Sequence, residues 1–374
     1  MAITENIKKL GFGFMRLPHV SPGFDVKDFD LPQIEKMVDV FLENGYTYFD
    51  TAFVYAGSEE VMRETLVKRH PRETYQIASK LNFFMPNSPD DVRAQFETTL
   101  SRLGTDYIDF YLLHGIGENI LEKIDNLGGW DFFGSLKKEG KIRHAGFSFH
   151  DSPETLDKIL TKHPEVEFVQ LQLNYFDWED EQVQARGVYE VARRHNVPIV
   201  VMEPVKGGFL GNDKSVLSDV FKKYAPDKSV ASWALKFLAE KEGILTILSG
   251  MSALEQVQDN VATFNGLTAL NDTERALIDD AAAALRAIPR VPCTECRYCK
   301  DCPQNIHIPE MLGLYSDYLQ CGVLSEHGYN MNSQFGAPAT ACVSCGLCEQ
   351  HCPQHIEIRD YLGKIAELAK AFGK

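Results

Sequence analysis

No cysteine occurs in the first 292 residues of this 374-residue chain; all nine lie between Cys293 and Cys352. That excludes a disulfide framework spread through a secreted fold, and clustering of this kind reads as a metal or iron–sulfur module in a reducing compartment. No apolar run approaches the length of a membrane-spanning helix. Met1 to Leu10 lacks the apolar core of a secretory signal, so the expectation is a cytoplasmic protein with no membrane partner. Basic residues are the minority charge: 38 Lys and Arg against 53 Asp and Glu give a formal net charge of −15. Such a balance argues against a polyanionic partner such as DNA or RNA.

The stretch Tyr46 to Tyr55, YTYFDTAFVY, organises what is present. Its first half alternates β-branched and aromatic residues as a buried strand does, and the pattern stops at Asp50. A carboxylate there needs a partner. Tyr55 follows five residues later, Lys80 closes QIASK, and His114 closes DFYLLH. Each lies at the carboxyl end of a strand or just beyond it, and parallel neighbouring strands would bring the four groups together. A lysine cation stabilises a phenolate and lowers the tyrosine pKa, and a carboxylate fixes the lysine. A histidine beside them can hydrogen-bond a substrate oxygen. The set suits protonation of a carbonyl oxygen while something else delivers hydride to its carbon.

Strand and helix patterns alternate along the chain. Strands are expected at Leu10 to Arg16, Thr47 to Asp50, Tyr75 to Lys80, Ile108 to His114, His144 to Ser148, Phe168 to Leu173, Val197 to Met202 and Ile244 to Leu248. Helices are expected over Leu31 to Glu43, Glu59 to Lys68, Pro89 to Leu103, Pro153 to Leu160, Glu181 to His195, Ser229 to Glu240 and Ala253 to Phe264. Regular alternation favours a parallel sheet, closed here into a (β/α)8 barrel. His114 to Asp131 reads as a loop with a short helix over the pocket, where Trp130 is either a pocket wall or a loop anchor. A barrel needs about 250 residues, which leaves a second module. The boundary expected from Pro289 and Pro292 divides the chain into 1–287 and 288–374.

Asn44-Gly45-Tyr46 leading to Asp50-Thr51-Ala52, then Tyr55, Ser58 and Glu59, Lys80, Asp106-Tyr107-Ile108-Asp109 and Leu112-Leu113-His114 resembles the aldo/keto reductase pattern. Gly140-Lys141-Ile142-Arg143 and Gly146-Phe147-Ser148 continue it. The resemblance implies a (β/α)8 barrel that binds NAD(P)(H), with Asp50, Tyr55, Lys80 and His114 as catalytic tetrad. It also implies that Ser148 and Gln170 hold the nicotinamide carboxamide. Phe149 stands where the family has asparagine, and Met202 where a tyrosine stacks on the nicotinamide. Lys206, in VKGG after the seventh strand, is a candidate charge for a pyrophosphate. SGMSALEQVQDN resembles the family's adenosine-phosphate segment, giving Ser249, Gly250 and Asn260 as cofactor contacts. Gly250 and Gln256 replace the lysine and arginine often found there, so the expected cofactor leans to NADH.

Cys293, Cys296, Cys299 and Cys302 are each three apart and precede Pro303; Cys342, Cys345, Cys348 and Cys352 repeat the run before Pro353. The repeat extends into CPQNIHIP and CPQHIEIR. Paired runs of this kind are the signature of two 4Fe-4S clusters in which each fourth cysteine ligates the other cluster. That expectation puts Cys293, Cys296, Cys299 and Cys352 on one cluster and Cys342, Cys345, Cys348 and Cys302 on the second. Structural zinc is the alternative. Cys321 is left over, a small buried hydrophobe. The long helical spacer from Pro303 to Ala341 favours an α-helical ferredoxin-like domain over a β-rich one. The whole chain resembles the bacterial and archaeal aldo/keto reductases that carry such a domain.

The resulting expectation is an oxidoreductase moving a hydride between NAD(P)H and a small-molecule carbonyl or alcohol, with Tyr55 as proton donor, fused to two 4Fe-4S clusters. Nicotinamide exchanges two electrons and clusters one, so a ferredoxin or flavoprotein redox partner is part of the reading. The alternative is an electron-transfer or partner-docking protein, flavin-linked or not, whose barrel is no ordinary carbonyl reductase.

Overall fold

Eight short β-branched and aromatic segments pair in parallel, each with the next, and the last pairs with the first. They are β1 (Leu10–Gly13), β2 (Tyr48–Asp50), β3 (Gln76–Leu81), β4 (Ile108–Ile116), β5 (Ile142–Phe149), β6 (Phe168–Gln172), β7 (Ile199–Met202) and β8 (Ile244–Ser249). The computed structural model describes residues 3, 7–21, 23–181, 183–294 and 296–372. Closure removes every sheet edge, and side chains alternate between the barrel interior and the helical layer. Tyr48, Phe110, Phe168, Val200 and Leu248 fill the interior. The expected (β/α)8 barrel is present.

The helices are α1 (Leu31–Glu43), α2 (Ser58–Met62), α3 (Pro89–Leu103), α4 (Glu118–Asn126), α5 (Gly129–Lys138), α6 (Pro153–Lys162), α7 (Ala185–Arg194), α8 (Val216–Tyr224), α9 (Val230–Ala239), α10 (Leu254–Asn265) and α11 (Asp272–Arg286). Their starts carry their own causes. Asp30 caps α1, Ser88 and Asp91 form a capping box on α3, and Ser152 caps α6, each with proline in the first turn.

Several boundaries differ from expectation. The first strand ends at Gly13 and a 3-10 turn covers Phe14–Arg16. The helix expected over Glu59 to Lys68 is α2 followed by a π-helical turn, Arg63–Val67. His114 to Asp131 holds the end of β4, all of α4 and the start of α5. Trp130 belongs to α5, where it stacks on His163 at 3.8 Å and donates to Asp125, so it is an anchor. The helix expected from Glu181 begins at Ala185, because Gln184 is left-handed, φ 50°.

The chain divides into two compact units, Met1–Gly207 with Ala231–Thr273, and Gly208–Val230 with Glu274–Lys374. In the second, α12 (Ile308–Cys321), α13 (Glu326–Phe335), α14 (Leu347–Gln350) and α15 (Ile358–Ala369) enclose a small core of Ile308, Met311, Leu312, Ile358, Leu362 and Ile365. The side chain of Cys321, read above as a buried hydrophobe, lies outside the described residues. Among the described residues no helix is long and apolar enough to cross a membrane.

Candidate active site

Asp50 ends β2 and Lys80 lies near the end of β3, two strands in register through Asp50 and Ala78. Both side chains are buried, and Lys80 Nζ donates to Asp50 Oδ1 at 2.6 Å and to the Thr51 carbonyl at 2.8 Å. The third donor direction reaches the Tyr55 hydroxyl at 3.4 Å. Tyr55 follows β2 in a connection whose shape depends on Gly57, at φ 74°, where a Cβ would strike the Phe24 carbonyl. Its ring meets that of His114, on β4, edge to face at 5.8 Å. The four residues expected to converge therefore do so at the carboxyl ends of β2, β3 and β4, where barrel enzymes place their chemistry.

The charges in this pocket are set by burial against pairing. Burial presses the Lys80 ammonium toward neutrality, but Asp50, with Tyr55, outweighs it and holds the cation. Burial pushes the Asp50 carboxyl up, with Lys80 and Gln170 opposing. For Tyr55 burial also wins: Lys80 pulls the phenol down, yet the net shift is upward. The expectation that Lys80 makes Tyr55 a stronger acid is thus only half realised in this pocket; the cation offsets burial without overcoming it. Burial, then the Lys80 charge and His150, take His114 down to about 3. His114 is a neutral imidazole at working pH, and its buried Nδ1 has no partner among the described residues.

The expected cofactor residues occupy the next strands round. Ser148 and Gln170 are register partners on β5 and β6, both buried; Ser148 Oγ accepts from the Gly115 amide at 2.8 Å, while Gln170 Oε1 is unpartnered among the described residues. Met202 ends β7 beside Gln172. Ser249, at the end of β8, accepts from Asn260 of α10 at 2.9 Å, and Gly250 is exposed in the turn between them. Lys206 is not a free charge: it pairs at 2.7 Å with Asp177, a carboxylate 1% exposed that also takes the Gln172 and Asn174 amides. The sequence offered no sign that Asp177, inside the acidic run DWED, is buried. Glu203 was missed too. It follows Met202 at φ 55°, pairs with Arg16 across the end of β8 at 3.3 Å, and its charge reaches Tyr55.

In the second unit the cysteines fall around two small cavities. One is lined by Cys302, Cys342, Cys345 and Cys348. The other is lined by Cys293, Cys296, Cys299 and Cys352. Each quartet thus takes its fourth member from the other run. Backbone conformation repeats with the sequence: Arg297 (φ 61°) matches Gly346 (φ 78°), and Asn305 (φ 55°) matches His355 (φ 52°). Left-handed residues inside such loops turn successive amides toward one anionic centre. Among the described residues no three His, Cys, Asp or Glu side chains stand close enough to share a single metal ion. Four cysteines around each cavity suit a 4Fe-4S cluster, with one thiolate per corner.

The model of the Aldo/keto reductase family matches residues 9–283. The chain belongs to the aldo/keto reductase family. It is an aldo/keto reductase-type oxidoreductase, and the model of a 4Fe-4S dicluster domain matches residues 292–357. Among relatives of this aldo/keto reductase, an uncharacterized oxidoreductase of Bacillus subtilis is 25% identical over 304 residues, 72% of this chain and 94% of that protein. The NADH-specific methylglyoxal reductase of Escherichia coli is 24% identical over 300 residues, 66% of this chain and 88% of its own. The crystal structure of an aldo-keto reductase from Klebsiella pneumoniae, in complex with NADPH, superposes with a TM-score of 0.59 at 23% identity. It covers 73% of this chain and 90% of that one, a likeness of fold.

Proposed function

We propose that this aldo/keto reductase reduces a small-molecule carbonyl, or oxidises the corresponding alcohol, with Tyr55 as proton donor. The observation that carries the reading is the buried contact series Asp50–Lys80–Tyr55, 2.6 and 3.4 Å, with His114 against the tyrosine ring. NAD(P)H, when bound, would be the source of the hydride for the carbonyl carbon. The Tyr55 hydroxyl gives its proton to the carbonyl oxygen, and the phenolate left behind lies beside the Lys80 cation until solvent returns a proton. Asp50 fixes Lys80 and balances its charge. Neutral His114 donates a hydrogen bond to the same carbonyl oxygen, orienting it. Groups held in place before reaction stabilise the developing charge without reorganising, which is the main catalytic contribution expected.

Ser148, Gln170 and Met202 suit the nicotinamide end of the cofactor, and Ser249, Gly250 and Asn260 the adenosine end. Lys206, the candidate charge for the pyrophosphate, is paired with Asp177 and so is not a free charge there. NADH is the preferred nucleotide in this reading. The turn after β8 carries no Lys or Arg before Leu254, and Gln256 spends its carbonyl on the Ser252 amide at 2.7 Å. The E. coli relative named above is NADH-specific. The two cysteine quartets hold two 4Fe-4S clusters in a domain that the reading bounds at 288–374. Cys296 and Cys345, the exposed members, mark the edges where a ferredoxin or flavoprotein would exchange single electrons. Thiolate ligands this accessible suit the reducing cytoplasm.

The test is nicotinamide consumption by anaerobically purified protein with short aldehydes and ketones. Tyr55→Phe should lower kcat by about 10²- to 10⁴-fold with nucleotide affinity unchanged. Full activity in Tyr55→Phe would sink the mechanism. Bleaching of the cluster absorbance by NADH with no carbonyl turnover would sink the reductase reading itself.

A further inference from the structure

Tyr55 stands in a turn, residues 51–57, that neither strand nor helix shapes. Contacts on two sides hold it. On the barrel side the Thr51 amide donates to the Ala78 carbonyl at 2.8 Å and the Phe53 amide to the Lys80 carbonyl at 3.3 Å, so the turn rides on β3 beyond the end of β2. On the helical side the contacts converge on Arg102, in the last turn of α3. Its Nη1 donates to the Phe53 carbonyl at 3.1 Å and reaches Glu59 Oε2 at 3.4 Å, and its Nε pairs with Glu60 at 3.2 Å. The guanidinium also lies over the Phe53 ring, 4.4 Å from its centre. Glu59 is fully buried, and its Oε1 accepts from Ser79 Oγ at 2.8 Å. Ser79 directly precedes Lys80. One chain of contacts, Phe53–Arg102–Glu59–Ser79, therefore joins the two flanks of Tyr55 to the residue beside Lys80.

We propose that Arg102 and Glu59 are positioning residues for the proton transfer: by pinning both flanks of the turn to β3 they set the 3.4 Å between the Tyr55 hydroxyl and the Lys80 ammonium. The inference rests on the reductase reading of the tetrad and extends it to residues outside the tetrad. The separation matters because Lys80 is the group that offsets burial of the phenol, and its attraction for the phenolate weakens with distance. Stability alone does not account for the arrangement. Burial pushes the Glu59 carboxyl up, with Ser79, Thr99 and Arg102 opposing, and a buried ion pair recovers little beyond that cost. Charge alone does not account for it either. A guanidinium serves a carbonyl and two carboxylates from one rigid plane while stacking on a ring, which an ammonium on a flexible stem does not do. Lysine at position 102 would keep the counter-charge that Glu59 needs and lose the geometry that holds Phe53.

The experiment compares wild type, Arg102→Lys and Glu59→Gln as anaerobically purified full chains. The Arg102 side chain is 33% exposed, so lysine enters without repacking the core. Reduction of a short aldehyde by NADH is followed in light and heavy water, and amide hydrogen exchange is read on peptides spanning residues 51–60. In Arg102→Lys kcat should fall by about ten- to a hundredfold, while KM for the aldehyde and the affinity for NADH change by less than about twofold. The solvent isotope effect on kcat should grow, because proton transfer from a displaced Tyr55 becomes the slow event. Exchange over residues 51–60 should quicken while peptides from β5 to β8 keep the wild-type rate. Glu59→Gln keeps an acceptor for Ser79 but turns a donor toward Arg102, so it should move each readout the same way by a smaller factor. A lower kcat with an unchanged isotope effect means only fewer folded molecules and overturns the proposal, as does a wild-type kcat in Arg102→Lys. A wild type that reduces no carbonyl fells the reductase reading instead; quickened exchange confined to residues 51–60 then leaves the clamp on Tyr55 standing, and unchanged exchange removes that as well.

Discussion

A histidine held neutral by its surroundings carries a cost that can be read out. The folded protein keeps His114 at about 3, whereas in the unfolded chain it returns to an ordinary value near 6.5. Between those values the unfolded chain takes up a proton that the folded one refuses, so this group's contribution to stability is intact above about pH 6.5 and is lost as pH falls toward 3. At pH 5 the loss amounts to about 2 kcal/mol. His114→Gln keeps a hydrogen-bond donor and cannot titrate. Its barrel should lose about that much less stability than wild type between pH 7 and pH 5. Urea midpoints followed by intrinsic tryptophan fluorescence measure it, because all three tryptophans, Trp130, Trp178 and Trp233, lie in the barrel unit. Equal acid sensitivity in both proteins would mean that His114 is solvated and that its neutral role in the mechanism is wrong.

At the scale of elements, the turn from β8 into α10 is where nucleotide choice is expressed in this reading. Gln256, in the first turn of α10, spends its carbonyl on the Ser252 amide. Gln256→Arg gives up that cap and offers a guanidinium to a 2'-phosphate, a charge-assisted contact of about 1.5–3 kcal/mol. The ratio of kcat/KM for NADPH over NADH should therefore rise roughly tenfold or more. An unchanged ratio would place the nucleotide's phosphate elsewhere. The strands and most helices were legible because each follows a local pattern: alternation for β2 and β4, capped apolar periodicity for α1, α3 and α6. The convergence of Asp50, Tyr55, Lys80 and His114 was legible because three of them stand at or near the ends of neighbouring strands and Tyr55 lies five residues beyond one. What escaped depends on contacts between distant positions. Lys206 finds Asp177 across 29 residues, and Glu203 finds Arg16 across 187. Neither residue differs locally from a solvated surface charge. The direction of the Tyr55 shift escaped because the competing burial depends on the closed pocket, which no spacing encodes.

Across the whole molecule, the chain repeats its cysteine run and the structure gathers one cysteine of each run into the other's cavity, so that each quartet draws on both residues 293–302 and residues 342–352. Paired substitutions distinguish this crossing from two self-contained sites. Cys302→Ala with Cys345→Ala removes two ligands from the same quartet, so the double variant should retain about half the iron and sulfide of the wild type. Cys302→Ala with Cys296→Ala strikes both quartets and should lose nearly all of it. If each run held its own cluster, the two results would exchange places: the first pair would empty both sites and the second would spare one. Iron and sulfide per chain, measured anaerobically, decide between them. The tryptophan fluorescence of the barrel unit, followed in the same samples, asks a separate question. Its folding rests on its own closed sheet and interior core, so the spectrum should be unchanged even in the variant that loses both clusters, whereas the cysteine-bearing unit should unfold with them. A barrel that unfolds with the clusters would make the second unit part of the barrel's own stability.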